Sequence, residues 1–480
     1  MIDTEALRKK VVELAIQGKL TEQLPEDGDA ESLYVQIEEE KKKLIKEGKL
    51  KKEKKLPGIS EDEIPFEIPS NWKWCRLGDV YSVLMGQSPD GMNVGPNVEG
   101  MEFHQGKIYF GKKFLEESTQ KSSELTRVAE ENSVLLCVRA PVGVVNITKR
   151  KICIGRGLCA LKALAGMEPY YLFYYLLSCK KTFENRGTGS TFSSITVDVI
   201  KKHLIPIPPV TEQRRIAEVL DKVFEQFTLI DECQTGYNKN LAVLRDKIFD
   251  AGIQGKLTEQ LQKDGNAEEL FEVIQNEKKQ LIKEKKIKKE KALQEVALEE
   301  IPFNIPDNWK WVRLGDICSK ISSGNTPAGG AKGGAYVDEG YCFLREQNIY
   351  NDGIHEEGMV YISEELLDSR PNSTVLPNDI LLNITGGSIG RCALVPEDFT
   401  RGSINQHILI IRTVDPRIRF YVHKCLCSPY YQKLIMGNVV GDKDGFSAGR
   451  CKNTLIPLPP LAEHERITNR IDEVLEYLVD

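Results

Sequence analysis

Apolar residues recur along the chain with two different rhythms. From Ile216 they fall at Ile216, Leu220, Val223, Phe227 and Ile230, and beyond Gln234 at Tyr237, Leu241, Leu244 and Ile248. Steps of four and three keep one stripe of an α-helix facing a partner, which is the seam of a coiled coil. PIPP before the run and Gly255 after it bound the helix, expected to be on the order of 50 to 60 Å long at about 1.5 Å per residue. The stretches 64–209 and 301–460 read differently. Short apolar runs broken by Gly, Asn and Ser, among them SVLLCVRAPVGVVNIT, KICIGRGLCALKAL, DILLNITGGSIGRCALV and INQHILIIRTV, predict strands. YYLFYYLLSCKKTF and RFYVHKCLCSPYYQKLIM predict helices, so both stretches are expected to be α/β modules of one fold.

The helical rhythm is duplicated. Residues 17–56 recur without a gap at 254–293, an offset of 237 that carries on from IPFEIPSNWKWCRLGDV to IPFNIPDNWKWVRLGDI. A second repeat, LIPIPPVTEQRRIAEVLDKVFE at 204–225 and LIPLPPLAEHERITNRIDEVLE at 455–476, has an offset of 251. Divergent modules therefore sit in duplicated frames. At the chain ends the seam returns in two pieces. Ile467, Ile471, Val474 and Leu478 match Ile216, Leu220, Val223 and Phe227, while Leu7 and Val11 match Leu244 and Ile248. Terminal helices meeting end to end would rebuild a second long helix, antiparallel to the first. The expected fold class is α/β: two α/β domains separated by a long antiparallel coiled-coil pair of helices, with an internal pseudo-twofold repeat and a circular organisation. The expected segments are 1–63 (helical), 64–209 (first module), 210–300 (central helical region), 301–460 (second module) and 461–480 (C-terminal helix). Trp72, Trp74 and Arg76, with their repeats Trp309, Trp311 and Arg313, lie in the frame and are expected to fix each module on its helix. The Lys-rich stretches 41–55 and 278–291 read as a solvated helix or connector.

Charge changes the picture only once it is apportioned. The formal charge of −6 divides into +5 for residues 64–209, −1 for 301–460 and −10 for the helical remainder. Lys149, Arg150 and Lys151, with Arg139 and Arg156 nearby, suit phosphate contact. Arg pairs with guanine and Asn or Gln with adenine through bidentate bonds, which makes the polar loops candidates for reading bases. These loops offer Gln87, Ser88, Arg186, Thr188, Ser190 and Thr191 in the first module. In the second they offer Ser323, Asn325, Thr326, Arg345, Gln347, Asn348, Asn405, Gln406, Lys443 and Arg450. The twelve cysteines show no C-x-x-C pair and no His at zinc-ligand spacing, so they are expected to be buried thiols of a reducing cytosol and no metal site is expected. The chain carries no G-x-G-x-x-G, no G-x-x-x-x-G-K-[ST], no H-E-x-x-H and no amino-methyltransferase Asp/Asn-Pro-Pro-aromatic motif, which disfavours a stand-alone enzyme. No run of about 18 apolar residues suggests a membrane span.

NWKWCRLGDV and NWKWVRLGDI opening the modules, PIPPVTEQRRIAEVLD and PLPPLAEHERITNRID closing them, and AIQGKL and GIQGKL ending the helices resemble the specificity subunits of type I restriction-modification systems. The likeness covers essentially the whole chain, with His464 standing where the first closing motif has Gln213. It implies a cytoplasmic, non-catalytic subunit that binds no cofactor, whose two target-recognition domains each read half of a bipartite, asymmetric double-stranded DNA site. It further implies two modification subunits that use S-adenosylmethionine to methylate adenine, and two restriction subunits that use ATP and Mg for translocation and cleavage. A helical scaffold or interaction adaptor without sequence-specific DNA binding is the alternative, and an enzyme with its site hidden in the second module is another.

Overall fold

The run from PIPP to Gly255 folds as one 44-residue helix, Val210–Ile253. In the computed structural model, which describes residues 1–125, 127–187, 194–327, 334–437 and 446–478, contacts group the five expected segments into two units, Met1–Thr235 and Gly236–Asp480. The frame is not a separate body: Val12, Ala15, Ile216 and Leu220 join the first module's own residues in a single apolar core. Ile248, Ile467 and Ile471 do the same in the second unit. Among the described residues, no helix is long and apolar enough to cross a membrane.

In the first unit, helix Thr4–Ile16 starts at Asp3, whose carboxylate accepts from the Ala6 N–H at 2.9 Å and caps it. It runs antiparallel to the first half of the long helix. The Ile2 N–H donates to Gln234 Oε1 at 2.6 Å, Arg8 pairs with Asp231 at 2.9 Å, and Thr21 and Gln23, beyond the helix end, reach Glu212 at 3.1 and 2.9 Å. In the second unit, Ile467 and Ile471 of helix Leu461–Glu476 approach Gly252, where a Cβ would stand 2.8 Å from Ile471 Cδ1. Val474 and Leu478 pack beside them.

The predicted seam is only partly the buried stripe. Ile216, Leu220, Ile248, Ile467 and Ile471 are buried, and Val11, Val223, Phe227, Ile230, Leu241, Val474 and Leu478 are half-buried. Leu7, Tyr237 and Leu244 are 40%, 53% and 44% exposed, which corrects their assignment to the seam. In the first unit the packed residues run Ile216, Leu220, Phe224, and Tyr174 of the module covers Phe224 with ring centroids 5.1 Å apart. The stripe there answers to a module as well as to a helix, so a strict four-three rhythm is not what its neighbours select.

Each module is zipped shut where it meets the frame. Strand Lys73–Arg76 pairs antiparallel with Leu204–Ile207, and Lys310–Arg313 with Leu455–Leu458. Trp72 Nε1–H donates to the buried Glu212 at 2.8 Å, and Trp309 Nε1–H to the buried Glu463 at 2.8 Å. Trp74 and Trp311 pack edge-on against Phe66 and Phe303. Arg76 donates to the carbonyls of Pro57 and Lys202, each at 2.8 Å, and Arg313 to those of Gln294 and Asn453 at 2.6 and 3.1 Å. The frame tryptophans and arginines therefore anchor modules, as their place in the repeat predicts. The Lys-rich stretches depart from a continuous helix. Helices Ala30–Lys46 and Ala267–Lys283 stop at residues with positive φ, Gly48 (+71°) and Lys285 (+58°), and the chain continues as a strap held by these arginines.

Within the first module, strands Tyr81–Met85, Leu158–Ala163, Val134–Cys137 and Val145–Ile147 form one antiparallel sheet in that order. A second sheet carries Met101–His104 parallel to Ile152–Ile154. The second module repeats the first sheet with Cys318–Ser323, Ile408–Thr413, Ile380–Asn383 and Cys392–Leu394. Its second sheet carries Tyr341–Leu344 parallel to Gly402–Ile404. Helices Pro169–Ser178 and Arg419–Cys427 pack on the Val145–Ile147 and Cys392–Leu394 strands.

Candidate nucleic-acid interface

The two modules cross over in the same way at one end of the second sheet. In the first, the N–H groups of Gly86, Gln87 and Gly155 donate to the carbonyls of Leu158, Ile154 and His104 at 2.9, 3.1 and 2.8 Å. In the second, Gly324, Asn325 and Asn405 donate to Ile408, Ile404 and Leu344 at 3.2, 3.3 and 3.2 Å. Gly86 and Gly324 are required there, because a Cβ at either would collide with a carbonyl of the neighbouring loop, Gly155 or Ile404. Each glycine opens the sequence Gly-(Gln/Asn)-(Ser/Thr)-Pro, and the buried Pro89 and Pro327 pin the far side of the turn.

This backbone brings four side chains together in each unit: Gln87, Ser88, Gln105 and Arg156 in the first, Asn325, Thr326, Arg345 and Gln406 in the second. Gln87 and Asn325 are exposed, as are Arg156 and Gln406. Ser88 Oγ donates to Gln105 Oε1 at 3.0 Å and accepts from the Arg156 N–H at 3.5 Å. Thr326 donates to Gln406, whose Nε2 lies 3.1 Å from His407 Nε2. Among the described residues no protein group pairs with the Arg156 guanidinium, whereas Arg345 donates to the Gly358 carbonyl.

Sequence reasoning missed Gln105, Glu346 and His407. Gln105 follows MEFH as Arg345 follows YCFL, and aligning those two strands would have found it. Glu346 accepts from Asn405 Nδ2 at 2.6 Å, and His407 Nδ1 lies 2.6 Å from the Thr385 hydroxyl. Burial opposes ionisation of Glu346, but the Asn405 bond and the turn's own N–H outweigh it and hold the carboxyl below its usual range.

Other candidates lie apart from this cluster or are spent inside it. Lys149, Arg150 and Lys151 precede strand Ile152–Ile154 and Arg156 follows it, so about 10 Å of strand separates them. Arg150 is a structural residue rather than a free cation. It forks onto Glu102 at 2.5 and 2.6 Å and donates to the carbonyls of Leu115 and Glu116 at 3.3 and 3.1 Å. Burial would raise the Glu102 pKa, but Arg150, the Ser118 N–H and His104 bring it down to about 2. Lys151 pairs with Glu130 at 3.0 Å and Lys149 stands 3.8 Å over the Phe114 ring. Asn348 is buried and donates to the carbonyls of His355 and Glu357, and Asn405 is 5% exposed; these two asparagines build loops. Gln347 is exposed on the same turn as Asn348, and Ser323 is exposed at the end of its strand. Arg139 is exposed and forms a backbone bridge with Ser194, and Arg186 is exposed at the end of helix Lys180–Arg186. Arg450 is half-buried in helix Ala448–Asn453, away from the crossover. Thr188, Ser190, Thr191 and Lys443 lie outside the described residues. Two cavities of about 260 and 210 Å³ are lysine-lined grooves under the straps, alike in both units, and no residue of the crossover clusters lines them.

Residues 69–235 and 306–479 each match the family described as type I restriction modification DNA specificity domain. The chain belongs to that family. A specificity subunit reads DNA sequence, and one matched copy lies within each of the two units. Among curated relatives, the EcoAI specificity subunit of Escherichia coli is 25% identical over 98% of this chain and 88% of its own. The putative MjaX specificity subunit of Methanocaldococcus jannaschii is 33% identical over 40% of this chain and 44% of its own. In fold, this specificity subunit resembles a chain from a structure on complex assembly and conformational transition of the type I R-M system. The TM-score is 0.62 at 18% identity, covering 86% of this chain and 92% of that one. It also resembles the HsdS subunit of Thermoanaerobacter tengcongensis, with a TM-score of 0.51 at 17% identity over 87% and 92% of the two chains.

Proposed function

We propose that each unit reads one half of a bipartite, asymmetric DNA site with its crossover cluster: Gln87, Ser88, Gln105 and Arg156 for one half, Asn325, Thr326, Arg345 and Gln406 for the other, with Glu346 and His407 beside them. The observation that supports this is one backbone pattern carrying two side-chain sets, all of them able to address base edges. Arg139, Arg186, Ser323, Gln347 and Arg450 add phosphate or sugar contacts. The duplicated frame, with its terminal helices completing an antiparallel, circular coiled-coil pair, spaces the half-sites and seats two copies of one modification subunit. That partner supplies S-adenosylmethionine-dependent adenine methylation, and two restriction subunits supply ATP- and Mg-dependent translocation and cleavage; this chain contributes recognition without catalysis.

The test is sequencing of methylated DNA made by the chain together with its modification partner. Arg156→Ala is expected to relax one half of the methylated motif and Gln406→Ala the other. The loss of discrimination should be about 1–3 kcal/mol at the affected base pair. Variants that change both halves, or neither, overturn the assignment.

A further inference from the structure

The two units differ at one internal place where the fold itself does not require a difference. Tyr171 and Tyr421 fix the register of the module helices, each donating its hydroxyl to a frame carbonyl, Pro206 at 2.6 Å and Pro457 at 2.7 Å. Two and six residues further on stand Phe173 and Leu177 in the first unit, and His423 and Cys427 in the second. The strand beneath carries Val145 opposite Leu136 in the first unit and Cys392 opposite Leu382 in the second. An apolar trio, Val145, Phe173 and Leu177, is thus replaced by Cys392, His423 and Cys427. In the first unit Val145 and Phe173 belong to the apolar core and Leu177 lies at its exposed edge, so this junction is built there without polar side chains at the three positions.

The replacements converge. Their donor atoms all lie within 4.8 Å of one another, and His423 Nε2 is 3.5 Å from Cys427 Sγ. Two thiolates at about 2.3 Å and an imidazole at about 2.0–2.1 Å from a tetrahedral zinc ion stand about 3.5–3.8 Å apart, which is the spacing found for the nitrogen and sulfur here. The protein satisfies His423 on one side only. The nitrogen that faces the cysteines is Nε2, 3.5 Å from Cys427 Sγ and 2.9 Å from the Cys392 carbonyl; Nδ1, the other ring nitrogen, is buried without a partner among the described residues and takes no part in the site. Two thiols and an imidazole nitrogen converging in a junction that is apolar in the other unit supply the donor set of a thiophilic metal ion.

We propose that Cys392, His423 and Cys427 bind a thiophilic divalent cation of the zinc class, tying helix Arg419–Cys427 to strand Cys392–Leu394. Binding releases the two thiol protons to solvent, leaves His423 neutral, and takes water as fourth ligand through the half-buried Cys427. The expectation of no metal site rested on the absence of C-x-x-C pairs and of a His at zinc-ligand spacing, and this set follows neither pattern. His423 and Cys427 are one helical turn apart, and the third ligand arrives from a strand.

The full chain, purified with a phosphine reductant and stripped of metal, is titrated with Zn(II) and separately with Co(II). One equivalent of Zn(II) is expected per chain. Co(II) should give the thiolate charge-transfer band and the intense visible absorption of a tetrahedral site. Cys392→Val, His423→Phe and Cys427→Leu each install the residue the first unit already uses, so they fold by precedent, and each is expected to abolish both signals. Three results overturn the proposal: no metal uptake by the reduced chain, uptake undiminished in all three variants, or a Cys392–Cys427 disulfide whose reduction yields no metal-binding chain.

Discussion

The units are alike where they meet the frame and unlike where they turn away from it, and the contrast separates anchoring from reading. At the frame the agreement extends to single hydrogen bonds: Trp72 and Trp309 to a buried glutamate at 2.8 Å, with Thr21 and Gln23 repeated as Thr258 and Gln260. At the crossover the backbone agrees but Ser88 is joined to Gln105, whereas Thr326 is joined to Gln406. Bonds repeated in both units belong to holding each module on its frame; side chains that differ on a shared backbone are those free to answer to different DNA sequences.

The strongest way to break this comparison is to remove a buried glutamate. Glu212→Ala removes the carboxylate that the buried Trp72 indole and the Thr21 hydroxyl donate to, while Gln23 keeps the Gly18 and Thr21 carbonyls; Glu463→Ala does the same to Trp309 and Thr258, though the Trp309 indole keeps Gln260 Oε1 at 3.2 Å. Depriving the buried indole of its charged acceptor costs about 1–3 kcal/mol, with the larger loss expected from Glu212→Ala because the Trp72 indole has no second acceptor among the described residues. Hydrogen exchange resolved by peptide should place the loss in the variant's own unit. Equal loss in both units from either variant would deny that each frame junction serves its own module.

The anchoring half of the comparison was legible in sequence because duplicated residues carry duplicated bonds. NWKW followed by RLGD implied a fixed attachment, and Trp72 to Glu212 is that attachment. The reading half was legible only in part. Gln87, Ser88, Asn325 and Thr326 could be seen in two matching loops and Arg156 as a nearby cation, but Gln105 follows a strand from elsewhere in the chain, and only the parallel pairing of Met101–His104 with Ile152–Ile154 brings it to the same end of the sheet as Arg156. Arg150 looked like a phosphate contact because charge is visible in sequence while its partner Glu102, 48 residues away, is not. The seam misled at Leu7 and Leu244 for a related reason: periodicity records that a helix has an apolar face, not whether a helix or a module covers it.

A smaller effect sharpens the comparison at a buried frame mismatch, Gln213 against His464. Gln213 Nε2 donates to the Pro208 carbonyl at 2.8 Å, and His464 Nε2 lies 2.9 Å from Pro459 O. Burial disfavours the charged ring and brings His464 down to about 4, against the usual value near 6.5. Because the folded value is the lower one, the unfolded chain takes up the proton first. The contribution is intact above pH 6.5 and is lost as pH falls toward 4. At pH 5 this costs the second unit about 2 kcal/mol. His464→Gln copies the first unit and should recover that loss at pH 5 while changing little at pH 7.5, measured by denaturation followed in the second unit. An unchanged acid response would mean that other groups titrate there.

The smallest expected effect concerns the basic run that only the first module possesses. The Arg150–Glu102 pair is about one-third exposed on the arginine side, so losing it should cost about 1 kcal/mol of stability in the first unit. The Glu102 carboxyl, freed of its largest stabilising partner, should titrate above the value of about 2 it has when paired. If Arg150 is spent inside the module, Arg150→Ala leaves the salt dependence of DNA binding unchanged, because no phosphate contact is lost. A phosphate-binding arginine would instead lower the log–log slope by about 0.9. Arg156→Ala provides the comparison on the same strand: its guanidinium faces no protein partner among the described residues, so its loss should appear in DNA binding and not in stability. The two arginines flank Ile152–Ile154, and opposite outcomes from them would show that the module divides holding from reading along a single strand, as the molecule divides them between frame and crossover.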